Sequence, residues 1–231
     1  MLNKRLRAIS EMVLKGHPAA DIGTDHAALS LYLIENGIVP RAIASELNEG
    51  PFKRAAKIVQ NSPWGDKVEL RKGNGLEVLK TAEVSTVIIA GMGGDTIVDI
   101  LASDWTKAGS FGFYLFQPMS KPEVLRKELS LRGWPIVAEQ VVQEKSRYYV
   151  VIASCPGSSP YTLSGLERDV GPIILKNPAP INRTFLKYRL KKYYAVSEGL
   201  SHTYRQEEII LVEEYKKRIK ELEDILYGSQ G

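Results

Sequence analysis

Apolar runs alternate with amphipathic stretches over most of the chain. The runs predict seven strands, of which one ends at Asp21 and six cover residues 41–45, 67–71, 86–90, 111–116, 135–142 and 146–153. Apolar residues spaced three and four apart predict helices at the N-terminus, after residue 27 and near residues 51–61, 97–101 and 123–132. Strands that alternate with helices in this way predict an α/β fold with a doubly wound sheet.

The last two predicted strands lie only a few residues apart in the sequence. Parallel strands need a crossover of about a dozen residues, whereas antiparallel strands can be joined by a tight turn. The final pair is therefore predicted to be an antiparallel hairpin. Helix-linked strands followed by such a hairpin are typical of the seven-stranded Rossmann-like class I methyltransferase sheet, in which the last strand is antiparallel.

A second, helical unit is predicted at the C-terminus. Prolines within residues 156–160 break the sheet domain, and helices are predicted near residues 182–200 and 205–226. Their apolar residues recur three and four positions apart, as in a coiled-coil seam, and a short turn near residues 201–204 makes the two helices antiparallel. The predicted domains are a Rossmann-like catalytic domain, residues 1–157, and an α-helical hairpin or coiled coil, residues 158–231.

The composition excludes several classes of protein. With 44% hydrophobic residues the 231-residue chain can bury a full core, yet no apolar run approaches the roughly 20 residues that a membrane helix needs. The N-terminus has no hydrophobic signal core, which predicts a cytoplasmic protein. One cysteine and three histidines do not make a convincing zinc site, so no metal is expected.

Positive charge is concentrated in two segments, although the formal net charge is only +4. In the first C-terminal helix, tyrosines are interleaved with Arg183, Lys187, Arg189, Lys191 and Lys192. The N-terminal helix carries Lys4, Arg5, Arg7 and Lys15. Each segment is interpreted either as an RNA-binding face or as an ordinary solvated surface, and the C-terminal helices could equally pair two copies of the chain. A monomer or weak homodimer is expected.

Polar residues and glycines follow the predicted parallel strands. The carboxyl ends of such strands meet at one edge of the sheet, where ligands bind in α/β folds. The residues expected to face one crevice there are Asp21, Glu46, Asn74, Gly91 and Gln117. This arrangement indicates an enzyme that binds an adenosine cofactor.

The first turn favours S-adenosylmethionine (SAM) over a dinucleotide. A dinucleotide-binding turn has three glycines, which leave room for a pyrophosphate at a helix N-terminus, whereas here only Gly23 holds such a position. A carboxylate at Asp25 would repel a diphosphate, but it suits the amino group or the sulfonium of SAM. The alternative is that Gly23 only makes a tight turn and that Asp25 caps the next helix.

The strand ends are assigned roles in binding SAM. Glu46 is predicted to accept hydrogen bonds from the ribose hydroxyls, and Asn74 to bond the adenine edge, although it also suits an ordinary turn. Glycines within residues 91–94 leave room for a flat base beside the sulfonium. The predicted cofactor-binding residues are Asp21, Gly23, Thr24, Glu46, Leu47, Asn74, Gly75, Gly91, Met92 and Gly93.

Several of these segments together resemble one known family. They are D-I-G-T-D-H-A-x-L at residues 21–29, Glu46 with Gly50-Pro51, Asn74-Gly75, A-G-M-G-G at residues 90–94 and Gln117-Pro118. The chain resembles the bacterial tRNA (adenine-22-N1)-methyltransferase family along nearly its whole length. It departs from the usual pattern at Ala28, Ser30 and Met119, the last of which stands where members usually have asparagine.

The resemblance implies SAM-dependent methylation of N1 of an adenine in the D-arm region of tRNA. Methylation makes the base cationic, so a nearby carboxylate favours the transition state. Asp25 is the predicted catalytic residue, with His26 as a second candidate. The predicted substrate-binding residues are Gly94, Gln117, Pro118, Arg183, Lys187, Lys191 and Lys192. Two alternatives stay open, a SAM-dependent methyltransferase for another RNA position or a small molecule, and a non-catalytic RNA-binding protein.

Overall fold

The computed structural model describes residues 2–24, 26–200 and 205–228, and of Gln206 only the backbone. The chain divides into two compact units, Met1–Tyr161 and Thr162–Gly231. Tyr161 closes the first unit, because its hydroxyl donates to the Trp134 carbonyl at 3.0 Å and accepts from the backbone N–H of Ile136 at 3.3 Å. The sequence pattern predicts this boundary at residue 157.

The first unit is built on one mixed sheet. Within the described residues its strands are β1 (Ala19–Ile22), β2 (Ala42–Glu46), β3 (Val68–Lys72), β4 (Thr86–Gly93), β5 (Phe113–Ser120), β6 (Ile136–Glu144) and β7 (Arg147–Ser154). They are ordered β3-β2-β1-β4-β5-β7-β6, and β1 to β5 are parallel whereas β7 pairs antiparallel with β5 and β6. The predicted Rossmann-like seven-stranded sheet with an antiparallel last strand is confirmed.

Helices connect the strands and continue beyond the sheet. Those of the first unit are α1 (Lys4–Met12), α2 (Ala28–Glu35), α3 (Glu49–Gln60), α4 (Gly94–Ala102), α5 (Trp105–Ala108) and α6 (Pro122–Leu131). Those of the second are α7 (Gly165–Val170), α8 (Pro172–Lys176), α9 (Pro180–Gly199) and α10 (Gln206–Tyr227). Short 3₁₀ turns lie at Gly65–Lys67 and Gly75–Val78.

The central strands are buried because helices cover the sheet. All residues of β1 and β2 are buried, which explains why both strands begin with adjacent apolar residues rather than with an alternating pattern. The apolar side of α1 buries Ile9 fully, and α1 packs against β5, β6 and β7. The helix therefore lies close to the last strands of the sheet rather than extending into solvent.

Two strands extend further than the sequence predicted. β4 continues past Ala90 to Gly93, and β5 continues past Phe116 through Pro118 to Ser120. A proline has no N–H for a ladder bond, which is why the sequence pattern ended the strand before it. The register shift between Ala90 and Met92 accommodates this pairing.

The second unit contains an antiparallel pair of helices, α9 and α10. Arg183 Nη2 donates to the Leu226 carbonyl at 2.8 Å, and the Tyr193 and Tyr215 rings lie 5.6 Å apart. The buried seam is formed by Leu186, Leu190, Tyr193, Ile219, Leu222 and Leu226. The helical hairpin agrees with the sequence pattern, whereas the predicted turn at residues 201–204 lies outside the described residues.

Candidate active site

The turn after β1 is tied to the end of β2. The backbone N–H groups of Gly23 and Thr24 both donate to the Ser45 carbonyl, at 2.9 and 2.8 Å. Gly23 has φ +78°, and a Cβ there would overlap the side chain of Met92 at the end of β4. The glycine therefore allows three strand ends to approach one another.

A cavity of about 350 Å³ opens beside this turn. Its lining includes Asp21, Gly23, Thr24 and His26 from the first turn, Gly91 from the end of β4 and Arg5 from α1. The structure thus brings together five residues that the sequence predicted for the site, and it adds the charged side chain of Arg5, which the sequence did not predict there. Polar and apolar residues both line the cavity, which lies at the carboxyl ends of β1 and β4, where α/β sheets bind ligands.

Asp21 is a buried carboxyl group at the rim of this cavity. Burial raises its pKa to about 6, although a hydrogen bond with Thr24 and the positive charge of Arg5 both act in the opposite direction. Desolvation disfavours the charged form of an acid, and a cation placed next to it restores that form. Asp21 is therefore suited to a positively charged ligand group, such as the α-ammonium group of SAM.

We expect the binding of S-adenosylhomocysteine, the demethylated product of SAM, to depend on pH through Asp21. The ammonium group favours the Asp21 carboxylate, so affinity should rise roughly tenfold per pH unit from pH 5 toward 6 and level off above the pKa. In the ligand-free protein, the raised pKa means that stability is lost as the pH rises from about 4 to 6. Calorimetry in two buffers of different ionisation enthalpy measures the proton release.

Asp21→Asn should abolish both pH dependences while preserving the shape of the side chain. The matched control is Asp66→Asn, which removes an exposed carboxylate after α3. An Asp21→Asn protein that kept the parental pH dependence of binding would contradict this role.

Glu46 ends β2 with an oriented carboxylate. The side chain is buried, and its Oε1 accepts from the backbone N–H of Asn48 at 2.8 Å and from the Asn48 side chain at 3.2 Å. Its backbone carbonyl accepts from Gly73 at the end of β3. The second carboxylate oxygen can accept from a ribose hydroxyl, while the half-exposed side chain of Leu47 offers an apolar surface for a base.

Asn74 and Gly75 lie at the same edge, after β3. Asn74 is exposed and precedes the 3₁₀ turn that begins at Gly75. Gly75 has φ +50°, and a Cβ there would press against Ile100 of α4 at 3.0 Å. Both the predicted adenine contact and an ordinary turn are compatible with this geometry.

The ends of β4 and β5 form the opposite wall. Gly91 has φ +81°, and a Cβ there would lie 3.3 Å from Arg5 Nη1. Gly94 begins α4 against the backbone of Lys121. Gln117 and Pro118 are both buried, and the Gln117 side chain is held between Arg5 Nη1 and the Pro118 carbonyl rather than facing solvent. These two residues support the wall of the crevice.

Arg5 is a charged residue of the cavity that the sequence did not single out. Its guanidinium donates to Gln117, lies 3.6 Å from Met119 Sδ and sits 5.9 Å from the centroid of the Tyr149 ring. Only the packing of α1 on the last strands brings it there, since 112 positions separate Arg5 from Gln117. In the sequence, Arg5 is one of four basic residues of a predicted amphipathic helix. That pattern does not indicate which of the four lies at the cavity.

The basic residues of α9 differ in their surroundings. Lys187, Lys191 and Lys192 are exposed, as the sequence predicted for that face. Arg189 instead pairs with Asp169 in a partly buried ion pair, and Arg183 donates to the last turn of α10. The Asp169 carboxylate balances the charge of Arg189, so Arg189 is less available to a phosphate and contributes to packing. The carbonyl that Arg183 contacts carries no formal charge, so Arg183 can still offer its positive charge.

The two predicted catalytic residues follow the turn after β1. Asp25, the predicted catalytic carboxylate, lies outside the described residues, and its neighbour His26 is exposed at the cavity.

Across residues 2–24, 26–200 and 205–228, no cluster of three or more His, Cys, Asp or Glu side chains is placed to hold a metal ion. In the same part of the chain, no helix is both long and apolar enough to cross a membrane.

The sheet order, its antiparallel last strand and the acidic crevice at the ends of β1 and β2 define a Rossmann-like methyltransferase. The family model described as "Methyltransferase domain" matches residues 2–152. The tRNA (adenine(22)-N(1))-methyltransferase of Bacillus subtilis (strain 168) is 32% identical over 230 residues, covering 96% of this chain and 93% of the relative. The chain belongs to the tRNA (adenine(22)-N(1))-methyltransferase family.

Solved structures agree with this family over almost the entire chain. Sp1610 of Streptococcus pneumoniae, in complex with SAM, has a TM-score of 0.84 and 28% identity, covering 98% of this chain and 100% of that one. TrmK of M. capricolum, in complex with S-adenosylhomocysteine, has a TM-score of 0.80 and 26% identity, covering 98% of each chain. The similarity therefore includes the helical unit as well as the sheet.

Proposed function

We propose that this protein is a SAM-dependent methyltransferase that modifies N1 of adenine 22 in tRNA. The observation that carries the proposal is the cavity at the ends of β1 and β4, where a buried acid, a glycine turn and an arginine meet. A dinucleotide would bring a pyrophosphate against Asp21, which this site disfavours. The family membership supplies the substrate class.

The residues present fit SAM. The buried Asp21 suits its ammonium group, Arg5 offers a guanidinium for its carboxylate, and Glu46 offers an oriented carboxylate for its ribose. Leu47 and Asn74 are proposed at the adenine. Gly23 and Gly75 shape the backbone beside the ligand, and the remaining cofactor contacts are proposed for Thr24, Gly91, Met92 and Gly93. When bound, SAM supplies an electrophilic methyl group on a sulfonium.

The chain needs mainly to align the base. Adenine N1 is uncharged and carries a lone pair at neutral pH, so no strong base has to remove a proton before attack. Holding N1 close to the methyl carbon and in line with the sulfur lowers the barrier by several kcal/mol. Gly94 lets the start of α4 pack against the Lys121 backbone, which keeps the ends of β4 and β5 in place beside the base. Asp25 with His26 is proposed to stabilise the base as it becomes cationic.

The tRNA itself is proposed to contact both units. The exposed Lys187, Lys191 and Lys192 of α9, with Arg183 beside them, offer positive charge to phosphates. Gln117 and Pro118 are proposed to support the base-binding wall. We place the activity in the cytoplasm, where tRNA is modified, and the monomer or weak homodimer expected from the sequence stays a prediction.

Incubation of purified protein and SAM with unmodified tRNA transcripts tests the function. We expect one methyl group per tRNA, located at adenine 22 by nuclease mapping and mass spectrometry. A methyl group at N1 blocks the Watson–Crick edge, so reverse transcription should stop at the same position. A transcript with guanine at that position should gain neither signal. Methylation at another nucleotide, or of a metabolite pool but not tRNA, would contradict the proposal.

A further inference from the structure

The turn between β6 and β7 lies beside the crevice. β7 is antiparallel to β5, with Phe116 opposite Ile152, so the first residues of β7 lead toward the carboxyl end of β5. Arg5 connects the two places, because its guanidinium donates to Gln117 and also lies over the Tyr149 ring. The turn thus lies at the same end of the sheet as the crevice, connected to it through Arg5.

This end of the sheet carries exposed positive charge. Lys145 and Arg147 in the turn are exposed, and so is Lys4 at the start of α1, whose backbone N–H donates to Glu144 Oε1 at 3.3 Å. Together Lys4, Lys145, Ser146, Arg147 and Tyr149 form what we call the hairpin-turn surface. It borders a concave space of about 480 Å³ that is lined by Glu144 through Arg147 and by Tyr149.

Lys145 occupies a backbone conformation that disfavours lysine. Its φ is +55°, in the left-handed region, where glycine or asparagine is the usual choice in a hairpin turn. A side chain kept in such a conformation costs stability, and residues of this kind cluster at functional sites. The backbone conformation and the positive charge of Lys145 are two independent observations that both point to a functional role for this residue.

We propose that the hairpin-turn surface binds tRNA phosphates next to the nucleotide whose base enters the crevice. This inference rests on the proposed function and assigns a second RNA contact, located on the catalytic unit. An enzyme that reacts with a base must take it out of its stack, which places the flanking backbone against the rim of the pocket. Lysine and arginine at that rim match phosphates, and a tyrosine offers a stacking face.

Lys145→Gly separates binding from folding. It removes the charge and relieves the left-handed strain, so the melting temperature should be equal to or above that of the parent. Each phosphate contact contributes about 0.9 to the slope of log affinity against log salt concentration. At 0.1 M salt, one contact therefore strengthens tRNA binding roughly eightfold. We therefore expect Lys145→Gly to weaken tRNA binding about eightfold, and a Lys145→Gly/Arg147→Gln protein to flatten the slope by about 2.

The matched control is Lys57→Gln/Lys127→Gln, which removes two exposed lysines from the later parts of α3 and α6. It should keep the parental tRNA affinity and salt slope, and affinity for S-adenosylhomocysteine should be unchanged in all variants. Parental tRNA affinity in the Lys145→Gly/Arg147→Gln protein, or an equal loss in the control, would overturn the proposed role of the hairpin-turn surface but not the proposed function. A parent enzyme that does not methylate tRNA overturns the proposed function instead.

Discussion

Gly94→Ala is expected to lower kcat about 100-fold, because a displacement of about 1 Å in a reacting site costs that much. A Cβ at Gly94 would overlap the Lys121 carbonyl oxygen, and it would lie 2.9 Å from the carbonyl carbon and 3.3 Å from the Ser120 carbonyl oxygen. All three atoms belong to the backbone, so no side-chain rotation can relieve the overlap. The ends of β4 and β5, which form the base-binding wall, must move apart.

The same overlap should cost about 1 to 3 kcal/mol of folding free energy and lower the melting temperature by roughly 3 to 10 °C. Single-turnover methylation of tRNA and a thermal melt measure the two effects. Gly50→Ala in the first turn of α3 is the matched control, since only the tip of the Arg54 side chain lies near, at 3.7 Å. Parental turnover in Gly94→Ala would show that the wall tolerates the movement.

Glu46→Gln is expected to weaken binding of S-adenosylhomocysteine about tenfold or more. Hydrogen bonds to a charged group contribute about 1.5 to 3 kcal/mol, and every 1.4 kcal/mol is about tenfold in affinity. Glutamine can still accept from Asn48 through its oxygen, so the loop after β2 should keep its conformation. Its amide NH₂ cannot accept from a ribose hydroxyl as the second carboxylate oxygen does, which isolates the loss at the ligand.

Calorimetry with S-adenosylhomocysteine measures this loss, and the melting temperature without ligand should change little. Glu49→Gln is a suitable control, because it removes an exposed carboxylate of α3 that pairs with Lys53 and Lys72 on the surface. Equal affinity in Glu46→Gln and the parent would exclude Glu46 as the ribose acceptor and leave it as a structural residue that holds Asn48.

The parts of the fold that could be predicted are those that depend on residues close together in the sequence. The short spacing between β6 and β7 allows only an antiparallel pair, so the sheet class follows from the sequence. Asp21, Gly23 and Glu46 each stand next to a strand end, and strand ends in parallel sheets converge by construction. The strand bounds were less accurate at β5, because Pro118 pairs at an irregular register that no local pattern indicates.

The sequence by itself determined which segments form strands, which positions of the crevice are acidic or glycine, and which family the chain resembles. All of these depend on neighbours along the chain. The tertiary structure alone decided that Arg5 enters the cavity, that Gln117 is buried and that Arg189 pairs with Asp169. It also decided that Lys145 lies strained beside the crevice. These facts depend on contacts between distant segments, where packing selects one basic residue for a site and leaves a similar neighbour in solvent.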